Sequence, residues 1–195
     1  MRRLLVSFFA LFLLTAVSHA DQFLYYADLT GAAESPSNAS AGTGSTLVTY
    51  DSVAHTLRVE IQWSGLSSGT TASHIHCCVA NPFDTTLNAP VATQVPRFVG
   101  FPTGVTSGSY DHLFDLTDAA SWNATFITAN GGSVSGAESA LAAGMAAGKA
   151  YLNIHTTNYP GGEIRGFLAP APEPASMAIF GSMLAGLIAV RRKSK

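Results

Sequence analysis

From Thr56 to Trp63 the chain reads Thr-Leu-Arg-Val-Glu-Ile-Gln-Trp, so that Leu57, Val59, Ile61 and Trp63 alternate with polar neighbours. A period of two sends every second side chain to one face, the pattern of a strand with one buried and one wet side. Similar stretches rich in β-branched and aromatic residues predict strands near residues 22–29, 46–50, 71–79, 107–114, 151–156 and 163–168. The Asp51-Ser52 turn predicts a hairpin between the 46–50 stretch and the strand from Thr56 to Trp63. In Tyr159-Pro160-Gly161-Gly162, proline fixes φ and glycine admits positive φ, which predicts a second hairpin joining the last two strands.

Helical periodicity is scarce. Ser135 and Glu138 have the spacing of a capping box ahead of the alanine-rich run 140–147, although Gly144 and Gly148 weaken that helix. A second short helix is predicted over 117–122. Many short strands separated by Gly, Ser and Thr turns predict a mainly β fold, an antiparallel β-sandwich of Greek-key, immunoglobulin-like or superoxide-dismutase-like type with one or two short helices.

The two ends have a different character. Residues 1–20 begin with Arg2 and Arg3, continue through an apolar run from Leu4 to Val17, and close on Ser18 and Ala20. This is the layout of a secretory signal cleaved after Ala20. The run is short for a helix that must cross about 30 Å of hydrocarbon at about 1.5 Å per residue.

Residues 169–195 are Pro-rich at first, then apolar from Ala175 to Val190, then basic at Arg191, Arg192 and Lys193. A basic end holds such an apolar helix with its C-terminus on the cytoplasmic side. Pro172-Glu173-Pro174, the apolar helix and the basic cluster, in that order, resemble the PEP-CTERM sorting segment of Gram-negative bacteria. The resemblance implies handling by an exosortase-type sorting machinery, transient tethering in the inner membrane, and release to the cell surface or extracellular matrix.

Between these tails, residues 21–168 suffice for one domain with a core. Six of the ten basic residues lie in the tails, so the domain keeps Arg58, Arg97, Lys149 and Arg165 against eleven acids from Asp21 to Glu163. Its acidity argues against nucleic acid as a partner and favours a cation, a basic protein or a neutral surface glycan.

Candidate chemistry centres on Ser73-His74-Ile75-His76-Cys77-Cys78. On a strand, His74 and His76 share one face while Ile75, Cys77 and Val79 share the other, which is the core side. In the same way Leu152 and Ile154 face the core, and Tyr151, Asn153 and His155 lie opposite. A His-x-His strand with a third histidine on a neighbouring strand is a starting set for zinc or copper, with Cys78 as a fourth donor. The alternative is that these imidazoles form a hydrogen-bonded polar layer that fixes strand register.

Cys77 and Cys78 are the only cysteines. A bond between neighbours closes no loop, and neighbouring Cβ atoms on a strand point apart. An intermolecular bond and two separate thiols therefore stand beside it. Glu163 and Arg165, two apart on the last predicted strand, are expected to project together as a structural ion pair.

Ser-His-Ile-His, the closing Tyr-Leu-Asn-Ile-His-Thr-Thr-Asn-Tyr-Pro-Gly-Gly-Glu-Ile-Arg-Gly-Phe-Leu and the opening Phe-Leu-Tyr-Tyr-Ala-Asp-Leu-Thr-Gly-Ala-Ala-Glu-Ser-Pro together resemble the CHRD domain, named for chordin and found in many bacterial exported proteins. The resemblance runs over about residues 23–168, with Cys77 and Cys78 replacing the small residues usual after the His-x-His. It implies a fold and supplies no established activity. Copper-zinc superoxide dismutase is similar in carrying a His-x-His strand, but its bimetallic site needs more histidines than His55, His74, His76, His112 and His155.

The sequence holds no Ser-His-Asp order, phosphate loop or dinucleotide fingerprint. It therefore predicts an exported, surface- or matrix-associated binding or structural protein, more readily than an enzyme. The alternative is a copper- or zinc-binding module on His74, His76 and His155.

Overall fold

The computed structural model describes residues 22–171. The expected signal segment with its cleavage point at Ala20 lies outside the described residues. So do the apolar C-terminal helix and the sorting residues Pro172, Glu173, Pro174, Arg191 and Arg192. No helix among the described residues is long and apolar enough to cross a membrane.

The strands are β1 (Gln22–Thr30), β2 (Thr43–Asp51), β3 (Thr56–Ser64), β4 (Thr70–His76), β5 (Gly108–Asp115), β6 (Tyr151–Thr156), β7 (Ile164–Phe167) and the two-residue β8 (Ala169–Pro170). They form one antiparallel sheet in the order β4-β6-β7-β1-β2-β3-β5, with β8 also on β1. The fold is sandwich-like because this single sheet curls over, whereas the sequence predicted a sandwich. The strand that allows it is β1. One edge pairs with β2 from Gln22 to Thr30, while the other is divided between β8 at Tyr25 and Tyr26 and β7 at Thr30.

Curling brings the two halves of the sheet onto a common core. Leu57, Val59, Ile61 and Trp63 of β3 are all buried in the same cluster as Ile75 of β4, Leu152 and Ile154 of β6 and Ile164 of β7. Burial of each such side chain contributes about 1.5–3 kcal/mol. Polar residues that alternate with them on β3, such as Arg58 and Gln62, stay exposed.

The helices close the core. α2 (Val134–Ala146) inserts Ala137, Leu141 and Met145, and α1 (Ala124–Ala129) inserts Phe126. The cap of α2 is Ser133, whose side chain accepts from Gly136 N. The expected box starting at Ser135 is not used, because Glu138 turns inward to take bonds from Tyr50 Oη at 2.9 Å and His55 Nδ1 at 3.0 Å. The helix expected over 117–122 is a single 3-10 turn, Ala119–Ser121, capped by Asp118.

Candidate metal centre

β4 and β6 are adjacent and antiparallel, with Ala72 opposite His155, His74 opposite Asn153 and His76 opposite Tyr151. Opposed residues share a face, so the three histidines and Asn153 point to one side. His155 sits diagonal to His74 across the small side chain of Ala72, a relation close enough for imidazoles to meet. The His74 and His155 ring centroids are 5.2 Å apart, and those of His74 and His76 are 5.8 Å apart.

This face is not a free surface. His74 is 6% exposed and His76 9%, although the opposite side of β4 already faces the core. The irregular chain after β4 folds back over it. Cys77 N bonds to Pro90 O, Ala92 N to Ile75 O and Phe98 N to Ser73 O. That cover carries the backbone carbonyls that meet two of the rings.

Each imidazole gives one N–H to a carbonyl. His74 Nε2 donates to Pro96 O at 2.8 Å, His76 Nδ1 to Ala89 O at 2.8 Å, and His155 Nδ1 to Pro160 O at 2.9 Å. Ala89 is itself held, since its N–H donates to Tyr151 Oη at 3.2 Å, and the Tyr151 ring stacks on His76 at 4.8 Å between centroids. A neutral imidazole has one donor and one acceptor nitrogen. The carbonyls therefore fix the tautomers and leave His74 Nδ1, His76 Nε2 and His155 Nε2 bare.

Burial keeps the rings neutral. It pushes His74 down to about 4, with the neighbouring His155 adding to the effect and the Pro96 carbonyl opposing it. Burial likewise pushes His76 down to about 4 against the Ala89 carbonyl and the neighbouring Asn153 side chain, and lowers His155 against the Pro160 carbonyl.

One ring nitrogen from each of the three residues lies within 4.8 Å of the others. His74 Nδ1 and His155 Nε2 are 3.3 Å apart. Tetrahedral zinc with Zn–N bonds of about 2.0–2.1 Å sets its ligand nitrogens about 3.3 Å apart. His76 Nε2 is buried without a hydrogen-bond partner. The donor set, its tautomers and the carbonyls behind it fit zinc or copper, whose histidine ligands characteristically give their second N–H to such an acceptor.

Cys78 does not join them. Cys77 and Cys78 are bonded to each other, and both sulfurs lie against Gly144 of α2, where a Cβ would collide with them. The two thiols are thus taken up on the helix side of the strand.

Glu163 and Arg165 do not pair either. Glu163 precedes β7 and stands in the turn, so the strand rule that places residues two apart on one face does not reach it. Its carboxylate takes bonds from Ser40 Oγ, Ser67 N, Ser67 Oγ and Thr156 Oγ1 at 2.6–3.0 Å. Burial works against its charge, and these donors outweigh burial and hold the carboxyl below its ordinary range. Arg165 is fully buried and donates to Ala33 O, to Asn88 Oδ1 at 2.8 Å and to Thr85 O at 2.7 Å. Glu34 is its nearest acid at 3.9 Å, and burial raises that carboxyl to about 7 despite Arg165.

The histidines were legible from alternation. Ala89, Pro96 and Pro160 carried no signal, because a backbone carbonyl in an irregular segment leaves no mark on the sequence. The remaining histidines of the domain lie elsewhere, His55 on Glu138 and His112 against Tyr110 and Phe114.

The CHRD domain family model matches residues 25–168, which includes every residue of this cluster. No curated protein and no solved structure matches the chain.

Proposed function

This chain belongs to the CHRD domain family, and from that premise we propose that it is an exported metal-binding protein, holding one zinc or copper ion on His74 Nδ1, His76 Nε2 and His155 Nε2. The observation that carries the proposal is the set of three bare imidazole nitrogens, each fixed by a carbonyl behind it, with two of them 3.3 Å apart. In the absence of a cation, lone pairs facing each other at that distance repel. A divalent ion removes the repulsion and satisfies the orphaned His76 Nε2.

The tails support the place where this occurs. A signal over residues 1–20 exports the chain, and the PEP-CTERM-like segment 169–195 hands it to an exosortase at the inner membrane of a Gram-negative cell. The domain then acts at the surface or in the extracellular matrix. The chain's own contribution is to hold neutral, correctly oriented imidazoles under a cover that shields them from protons and bulk water.

Titration calorimetry with zinc and with copper, the metal competing against a chelator of known affinity, tests the proposal. It predicts one site per chain in the parent and none in a His74→Asn/His76→Asn variant with an unchanged far-ultraviolet dichroism spectrum. Equal heats in the two proteins, or none in the parent, would overturn it.

A further inference from the structure

By strand register Asn153 stands at the middle of the cluster. It lies directly opposite His74 on β4, two residues before His155 on β6, and opposite Arg165 on β7. The residue is 2% exposed, and its side chain borders the His76 ring, yet its Oδ1 is buried with no hydrogen bond of normal geometry. The donor-rich neighbour is Arg165, yet its guanidinium turns to Ala33 O, Asn88 Oδ1 and Thr85 O. A buried amide oxygen left unbonded costs about 1–3 kcal/mol. It sits on the same sheet face as His76 Nε2, the other orphaned acceptor of the site.

We infer that Asn153 Oδ1 is the fourth protein ligand of the metal. The inference rests on the three-histidine site proposed above and deepens it, because it fixes the donor set as three imidazoles and one amide oxygen. All four donors are neutral, so the ion keeps its full charge in a site with no protein anion bound to it. Such a centre favours a small anion or hydroxide in any further position, which is the chemical class of exogenous ligand the site would take.

The same geometry separates this role from packing. An Asn153→Leu side chain of similar size fills the space but has no donor oxygen, whereas Asn153→Asp supplies an anionic one. Zinc affinity, measured by chelator competition near pH 7.5, is expected to fall by about 10–100-fold in Asn153→Leu and to rise by about tenfold or more in Asn153→Asp, the stoichiometry staying at one. A crystal structure of the zinc-loaded parent covers the case in which a variant fails to fold. It is expected to show Oδ1 at about 2.0–2.2 Å from the ion.

Unchanged affinity in Asn153→Leu, or an amide that donates its NH₂ to His76 while the ion sits on imidazoles alone, would overturn this inference and leave the three-histidine site standing. A parent that takes up no zinc would overturn both.

Discussion

His74 Nδ1 and His155 Nε2 face each other at 3.3 Å with no proton between them, because each ring has already given its N–H to a backbone carbonyl. The contact links β4 to β6 through two acceptors, an arrangement unfavourable in the apo protein and favourable around a cation. Ligand binding to the folded state alone raises stability by mass action. At a free zinc concentration about a hundredfold above Kd, the parent should gain about 2.7 kcal/mol against unfolding. In His74→Asn and His155→Asn variants the gain should vanish, read as a zinc-independent denaturant midpoint.

The neutral imidazoles also set a pH dependence. His74 and His76 are pushed from an ordinary value of 6.5 to about 4 by burial, so between those values the unfolded chain binds protons that the folded chain refuses. Stability of the metal-free protein is therefore fully present above about pH 6.5 and declines as pH falls towards about 4, by a few kcal/mol in all. The His74→Asn/His76→Asn variant should lose much of this slope in urea unfolding at a series of pH values. An equal slope in both proteins would contradict the burial argument.

Arg165 tests the cover from the same face of the sheet, one strand further on. Its guanidinium lies 4.5 Å from the Tyr151 ring centroid and bonds the loops at Ala33, Thr85 and Asn88 to β7. Replacing it by Met should cost about 3–5 kcal/mol, since the buried Glu34 carboxyl loses its nearest cation and the Ala33, Thr85 and Asn88 oxygens lose the donor that ties their loops to β7. Lysine cannot reproduce the planar fork, so Arg165→Lys should recover only part of the loss in equilibrium denaturation.

Gly144 offers a prediction whose sign decides between two effects. By helix propensity, Gly144→Ala should stabilise α2 by about 1 kcal/mol. In the fold a Cβ at this position would run into the sulfurs of Cys77 and Cys78, which are bonded together and have little freedom to withdraw. Overpacking of this kind costs about 1–3 kcal/mol. Net destabilisation of the oxidised protein is expected, and net stabilisation would show that the helix does not press on the disulfide.

The strands were legible because alternation is a property of single residues. The expected β3 over 56–63 and β6 over 151–156 coincide with the observed strands to within one residue. What escaped depended on the third dimension. α1 has only six residues, too few for a helical period, and β8 has two. Ser133 and Ser135 are equivalent as caps until Glu138 is seen to be committed to Tyr50 and His55.

The disulfide was left open because the strand rule, which points neighbouring Cβ atoms apart, speaks against it, and that rule does not reach Cys77 and Cys78, which lie just past the end of β4. Within the site, alternation placed His74, His76, Asn153 and His155 on one face. It could not show that the chain folds back over that face, because the covering segment has no period and acts through its main-chain carbonyls.

The most direct test is the metal content of the protein after export to the periplasm and purification without an affinity tag, beside the His74→Asn/His76→Asn variant. The proposed centre predicts close to one equivalent of zinc or copper per chain in the parent and none in the variant. A parent that emerges empty and takes up neither added zinc nor added copper would contradict it, and would make the three histidines a polar layer that fixes the register of β4 and β6.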